Sequence, residues 1–295
     1  MKDLVSIVIP TYKRNDMLMT AIKSCLRQTY QNIEIIVVND NIKGNKYYKK
    51  TLELMETIKS EKVRLINNEV NQGGVLARNK GIENANGKYI VFLDDDDEFI
   101  LNRIELQLTL MKREGLDASF ANCIVKEADT DDILKHISHP KWKDYSDPLI
   151  YHIVEMIYAT HTFMIKKEVL ESIGGFPQSL AGHEYLLMLR ILEEGYKVGH
   201  LDSDVAIVYI HPGIRISTSR NKAKAEKILF DIKKKHFDKL DFNQKQYVRY
   251  RYYYNLIMYY IKANPIFALY YAVLMLVLHP LIVLSKIRDK IWTRK

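Results

Sequence analysis

Four consecutive aspartates, Asp94 to Asp97, close the apolar run Tyr89–Leu93. Like charges in a row repel, and a solvated acidic loop accounts for most such runs. Here the run follows a strand-like segment and precedes a helix-like one, which places the carboxylates at a sheet edge. Clustered carboxylates of this kind suit a hard divalent cation, Mg2+ or Mn2+, bound through oxygen. Such an ion would bridge phosphates and neutralise charge on a leaving group. The nucleotide-binding classes built on glycine-rich loops are excluded, because the chain has neither G-x-G-x-x-G nor G-x-x-x-x-G-K-[ST]. Gly73-Gly74 opens a segment carrying Arg78 and Lys80. A helix N-terminus there could accept an anion, but the glycine pair by itself reads as a plain loop-to-helix turn.

The elements that must position these groups alternate along the first half. Leu4–Ile9 reads as a buried strand ended by Pro10, and Asn15 as the cap of a helix with Met17, Leu18, Ala21, Ile22 and Leu26 on one face. Ile33–Val38, Val63–Ile66 and Lys88–Leu93 read as strands, as does Ala118–Val125; residues 47–59, Val75–Glu83 and Leu101–Lys112 read as helices. This order predicts an α/β fold with a parallel sheet covered by helices. Ligands in such sheets bind beyond the carboxyl ends of the strands. The expected site therefore gathers Pro10–Tyr12, Asn39–Asn41, Asn67–Asn71 and Asp94–Asp97. Residues 126–148 are polar and read as a loop excursion over that site. Beyond it come the turn Gly174-Gly175-Phe176-Pro177, a helix near 183–194 and a strand pair near 197–210.

Four segments recur in order and register: Val5-Ser6-Ile7-Val8-Ile9-Pro10-Thr11-Tyr12, Ile35-Ile36-Val37-Val38-Asn39-Asp40, Asn71 to Gly81, and Gly87 to Asp97. Together they resemble family 2 glycosyltransferases of the GT-A fold, strongly over residues 4–100 and moderately over 160–220. The resemblance implies a Rossmann-like, mostly parallel sheet with helices on both faces. It also implies a nucleotide-sugar donor, usually UDP-linked, and transfer with inversion at the anomeric carbon. Carried onto this chain, it puts Pro10, Thr11 and Tyr12 beside the nucleobase, Asp40 at the base edge, and Arg78 at the base or phosphates. Asp95 would approach the ribose and Asp96 would ligate the metal, with Asp94 and Asp97 able to share these roles. Asn39 stands where the family often has Asp. His183-Glu184-Tyr185 to Arg190 is similar to the family's acidic–aromatic–apolar–Arg signature, so the base that deprotonates the acceptor hydroxyl falls on Glu184, where Asp is commoner. On its own, Glu184 would read as a surface carboxylate stabilised by a helix N-terminus. His211 would join the metal or diphosphate and Arg215 the phosphate oxygens. The Gln-x-x-Arg-Trp motif of processive synthases is absent, so one sugar per encounter is expected.

Composition divides the chain. Its 295 residues carry a net charge of +8, but residues 220–295 hold 17 Lys and Arg against 5 Asp and Glu, a net +12, and residues 1–219 carry −4. The expected organisation is a catalytic domain over 1–219 and a basic, aromatic-rich C-terminal helical extension over 220–295. No helix-turn-helix, zinc-finger or RNA-binding signature supports nucleic acid as the tail's partner. Pro265–Leu284 is 20 residues without a formal charge, long enough to span a bilayer. Basic clusters flank both ends, however, and Pro280 interrupts it. The expectation is interfacial or re-entrant helices on the cytoplasmic leaflet, with packing on the catalytic body or on a homodimer mate as the alternative. Two cysteines, Cys25 and Cys123, exclude a disulfide framework, and no leader is visible, so a cytoplasmic protein peripheral to the inner face of the membrane is expected. The acceptor would be a glycan or lipid-linked precursor. A nucleotidyltransferase, or a non-catalytic membrane-bound assembly protein, would fit parts of this pattern. The first would normally show a glycine-rich loop where this chain has Pro10-Thr11-Tyr12-Lys13-Arg14.

Overall fold

The computed structural model describes residues 2–179, 182–211 and 219–292. The chain forms two compact units, one of residues 1–148, 157–178 and 183–212, the other of 149–156, 179–182 and 213–295.

The first unit runs β1 (Val5–Thr11), α1 (Asn15–Leu26), β2 (Ile33–Asn39), α2 (Lys46–Glu56), β3 (Val63–Asn67), α3 (Gly74–Glu83), β4 (Tyr89–Phe92), β5 (Glu98–Phe99), α4 (Arg103–Glu114), β6 (Ala118–Glu127) and β7 (Ile133–Ile137). After α5 (Pro148–Glu155), which packs mainly in the second unit, it resumes with β8 (Met164–Lys166), α6 (Lys167–Ser172), α7 (His183–Glu193) and β9 (Val198–Ile210). The nine strands form one sheet in the order β3-β2-β1-β4-β8-β6-β9-β5, with β7 hydrogen-bonded to β6. β1 lies among parallel neighbours and is buried along its length except at Pro10, as expected for an apolar strand covered on both faces. The register aligns the strand ends: Thr11 is opposite Asn39, and Asn39 is opposite Asn67. Val8 is opposite Phe92, so the aspartates continue from β4 level with the end of β1.

β3, β2, β1 and β4 are parallel neighbours and β6 pairs parallel with β9, while β8 runs antiparallel to β4 and β6, β5 to β9, and β7 to β6, so the GT-A-like sheet is mixed. Three local expectations are corrected. Residues 126–148 are not a plain loop, since β6 and β7 form a hairpin there. Its turn is closed by Asp131 N donating to Glu127 O, with Asp131 at φ 61°. The side chains of β7 are largely exposed, so no apolar alternation marks the strand. The strand pair near 197–210 is one strand, β9. Its polar Asp202-Ser203-Asp204 segment forms a bulge against β6, where Asn122 Nδ2 donates to Asp202 Oδ1 at 2.9 Å. Asn15 also does not cap α1: its buried amide donates to Thr51 Oγ1 at 2.6 Å and ties α1 to α2.

The second unit joins α5 to α8 (Ser219–Lys234), α9 (Phe242–Tyr260), α10 (Pro265–Leu278) and α11 (Pro280–Trp292). Asp241 and Gln244 form a capping box on α9, and Asn264 caps α10 ahead of Pro265. Arg251 of α9 donates to Val154 O of α5 at 2.8 Å. His279-Pro280 separates α10 from α11. Among the described residues no helix is long and apolar enough to cross a membrane. α10 and α11 nevertheless expose large apolar side chains, among them Ile266 (80%), Leu269 (67%), Val277 (69%) and Leu281 (80%).

Candidate active site

The four aspartates form a tight turn closed by Asp97 N donating to Asp94 O at 3.2 Å. Each carboxylate has a different partner. Asp94 accepts from Arg78 of α3, and Asp96 from Arg14 at the start of α1. Asp95 Oδ2 accepts from Tyr12 N at 3.2 Å, and its other oxygen lies 3.5 Å from Arg14 Nη1. Asp97 Oδ1 accepts from Tyr209 N at 3.1 Å. Ionising such a turn costs free energy, because burial and mutual repulsion both oppose charge. Burial pushes the Asp95 carboxyl up to about 7. Burial, then Asp94 and Asp96, hold Asp97 well above the ordinary carboxylate value. Burial also raises Asp96, although Arg14 opposes it. For Asp94, burial is outweighed by the Arg78 guanidinium and the carboxyl is lowered. Arg78 in turn stays charged despite burial because Asp94, and after it Glu184, face it.

A divalent ion would relieve this repulsion, and two donor sets fit one. The first opens to solvent. His211 Nε2 is buried, has no hydrogen-bond partner among the described residues, and lies 3.8 Å from Asp96 Oδ2. That separation is too long for a hydrogen bond, yet it falls within the roughly 3–4 Å that separates two ligands of one ion at metal–ligand distances of about 2.1 Å. Both residues line a cavity of about 320 Å3 with Asp16, Asp97, Glu98 and Tyr209. The second set lies deeper: Asp94, Asp97 and His161 bring one ligand atom each within 4.8 Å of one another. Burial pushes the His161 imidazole down to about 4, leaving it neutral at pH 7. Its Nδ1 is 3.6 Å from Asp97 Oδ2 and its Nε2 is 3.4 Å from Cys123 Sγ.

The surrounding loops are fixed by polar contacts. The buried Asp40 carboxylate accepts four hydrogen bonds: from Asn68 Nδ2 (2.9 Å), Asn71 Nδ2 (2.8 Å), Gln72 N (2.9 Å) and Gly73 N (2.8 Å). It thereby shapes the loop that launches α3 and Arg78. Gly174 and Gly175 have φ of 75° and 69°, and this left-handed pair turns the chain so that Phe176 N donates to Asn79 Oδ1 at 2.8 Å. Phe176 packs edge-on to Phe92 and lies under Arg78. His183 Nδ1 bonds Pro177 O at 3.2 Å, so the same turn leads into α7 and Glu184.

The structure thus brings Tyr12, Arg78, Asp94–Asp97, Glu184 and His211 around one strand-end region. Thr11 is buried, and Tyr12 is 37% exposed with Lys13 Nζ over its ring. Pro10 is half-buried beside them. Asp40 sits behind this front, engaged by its own loop. Arg215 lies outside the described residues. Arg14 and His161 belong to the site and were not singled out from sequence. The signal for His161 is positional: β8 is antiparallel to β4, so the segment before it, Thr160-His161-Thr162, lies at the ligand edge.

Residues 6–174 match the family described as Glycosyl transferase family 2. Among relatives, the chain is 30% identical over 223 residues to the UDP-Glc:alpha-D-GlcNAc-diphosphoundecaprenol beta-1,3-glucosyltransferase WfaP of Escherichia coli, covering 75% of this chain and 82% of that one. Among solved structures, TarS of S. aureus in complex with UDP-GlcNAc superposes with a TM-score of 0.61 at 13% identity, over 85% of this chain and 81% of that one. The mannosyltransferase PcManGT of Pyrobaculum calidifontis, in complex with GDP-Man and Mn2+, gives 0.59 at 16% identity, over 93% and 80%. These last two likenesses concern the fold, which is GT-A with added C-terminal helices. With more than half its length matched by the family, and the aspartate turn at the strand end where the four motifs converge, this chain belongs to glycosyltransferase family 2.

Proposed function

We propose that the protein is an inverting transferase that moves one sugar from a nucleotide-sugar, UDP-linked, to a hydroxyl of a lipid-linked or cell-surface polysaccharide precursor. The observation that carries this reading is the pinning of the aspartate turn to the Tyr12 loop and to Arg78, whose guanidinium also feels the Glu184 carboxylate. The exposed Tyr12 ring offers a stacking face for the base, and Asp95 lies beside it for the ribose. Asp96 and His211, with Asp97 behind them, would hold a divalent ion, Mn2+ or Mg2+, which when bound offsets charge on the departing diphosphate. Glu184 takes the proton from the acceptor hydroxyl as its oxygen bonds the anomeric carbon and the bond to the diphosphate oxygen breaks. The crystallised UDP-GlcNAc complex of TarS and the printed activity of WfaP support a UDP-linked donor; the latter also supports a diphosphoundecaprenol-linked acceptor. The exposed apolar side chains of α10 and α11, in a segment of net charge +12, support contact with an anionic membrane surface such as the inner leaflet.

A thermal-shift panel of nucleotide sugars with and without Mn2+ tests the donor class. Glu184→Gln should bind the stabilising donor as the wild type does while transfer falls at least a hundredfold; unchanged transfer would remove Glu184 from its role. The convergence of Asp94, Asp97 and His161 favours a second position for the ion. If His161→Ala abolishes Mn2+ binding and His211→Ala does not, the deeper position is the occupied one.

A further inference from the structure

The two arginines that neutralise the aspartate turn are not equivalent. Arg78 is 14% exposed, lies against Phe176 and pairs with Asp94. Arg14 is 39% exposed, and among the described residues its guanidinium pairs with Asp95 and Asp96. The loop aims it there. Lys13 adopts φ 62°, a left-handed conformation that a lysine rarely takes. That turn is held from both sides, by Lys13 N donating to Asn41 Oδ1 at 3.0 Å and by Tyr12 N donating to Asp95. The result places Arg14 Nη1 on Asp96 Oδ2, the same oxygen that lies 3.8 Å from His211 Nε2.

One carboxylate oxygen therefore faces two claims, a guanidinium now and a divalent ion when one is bound. Two cations crowded on one oxygen repel strongly in a partly desolvated site. We propose that Arg14 is the resident counter-cation of Asp96, which the divalent ion displaces only when a nucleotide diphosphate arrives to receive the freed guanidinium. The proposal rests on the reading that Asp96 and His211 hold the ion. Arg14 then couples the two ligands: it weakens binding of the metal alone and rewards binding of metal with diphosphate, since Arg and diphosphate pair through charge-assisted, bidentate hydrogen bonds. Thermodynamic linkage makes the coupling reciprocal, so Mn2+ should strengthen UDP binding by the factor by which UDP strengthens Mn2+ binding.

The test uses the full chain. Mn2+ affinity is measured by electron paramagnetic resonance without nucleotide and with saturating UDP, for the wild type, Arg14→Gln and Arg14→Lys. Arg14→Gln should bind Mn2+ alone about tenfold more tightly, and the Mn2+–UDP coupling factor should fall about tenfold, one order of magnitude per 1.4 kcal/mol of lost competition. Arg14→Lys, which keeps the charge but not the bidentate fork, should bind Mn2+ alone near wild type and lose part of the coupling. Mn2+ affinity of Arg14→Gln within twofold of wild type overturns the proposal. Should Arg14→Gln fail to fold, Arg14→Met is read by the same criteria. Asp96→Ala and His211→Ala separate the two levels of the argument. If they leave Mn2+ binding intact, the ion lies elsewhere and the underlying reading fails. If they abolish it while Arg14→Gln changes nothing, only the role of Arg14 fails.

Discussion

Asp40→Asn changes one atom and should cost a large share of the stability of the first unit. The carboxylate has two oxygens and four donors, two on each: Asn68 Nδ2 and Gln72 N on Oδ1, Asn71 Nδ2 and Gly73 N on Oδ2. An asparagine offers one acceptor oxygen, and its amide group points two hydrogens at the remaining two donors. A hydrogen bond to a charged group contributes about 1.5–3 kcal/mol, so two lost bonds amount to about 3–6 kcal/mol before the relief of desolvating a buried anion is subtracted. A net loss of about 3 kcal/mol is expected, a lowering of the thermal midpoint by about 6–12 °C for a domain of this size. The same change frees the start of α3, so affinity for UDP should fall with stability while the sugar preference stays the same. Thermal unfolding followed by circular dichroism, with urea titration as a check on the midpoint, measures the first effect. A midpoint within 2 °C of the wild type would refute the reasoning, because it would mean that the loop 68–73 does not depend on the carboxylate.

Further outcomes follow from other parts of the structure. Asp95 keeps its proton up to about 7 in the folded chain against an ordinary value of 3.8. The native state therefore binds more protons than the unfolded chain between these values, and stability in the absence of ligands falls as pH rises through about 7. Asp95→Asn should match the wild type near pH 4 and exceed it at pH 8, by at most about 4 kcal/mol on the full shift; a difference independent of pH in urea titrations contradicts this. Gly175→Ala places a methyl group 2.6 Å from Asn79 Oδ1 at a positive φ, so it should break the Asn79–Phe176 pair and lower the thermal midpoint by several degrees. An unchanged midpoint would show that the turn is free to relax. Replacing Ile266, Leu269 and Val277 together by Glu should abolish flotation with anionic liposomes without lowering helical content. Flotation equal to wild type would assign these side chains another role.

The strand-end half of the site was readable from sequence because its physics is local. An apolar run that stops at Pro10, Asn39 or Asp94 marks both a buried strand and the edge where it emerges. The helix of Glu184 was equally visible through its apolar periodicity. What escaped depends on tertiary partners. Arg14 in sequence is one basic residue beside another, and only the left-handed turn at Lys13 directs it to Asp96. His161 carries no spacing to a second ligand; its meaning comes from the reversed direction of β8. Asp40 was expected at the base edge, and nothing local announces the four donors that converge on it from 28 to 33 residues away. The bulge of β9 and the exposed strand β7 were missed because period-two burial, the signal for strands, is broken in one and lacking in the other.

The placement of α5 has a consequence for how the chain is made. Its carbonyl at Val154 receives the side chain of Arg251, 97 residues later in synthesis. At the usual 5–20 residues per second, the partner emerges roughly 5–20 s after α5 does. During that interval α5, whose Leu149, Ile153 and Val154 are buried in the finished protein, lacks the rest of its compact unit. The nascent chain thus carries an apolar helix whose unit is completed only by residues made last. Expression that slows translation near the C-terminus should lengthen that exposure and send more of the product into aggregates, even though no contact of the mature fold has changed.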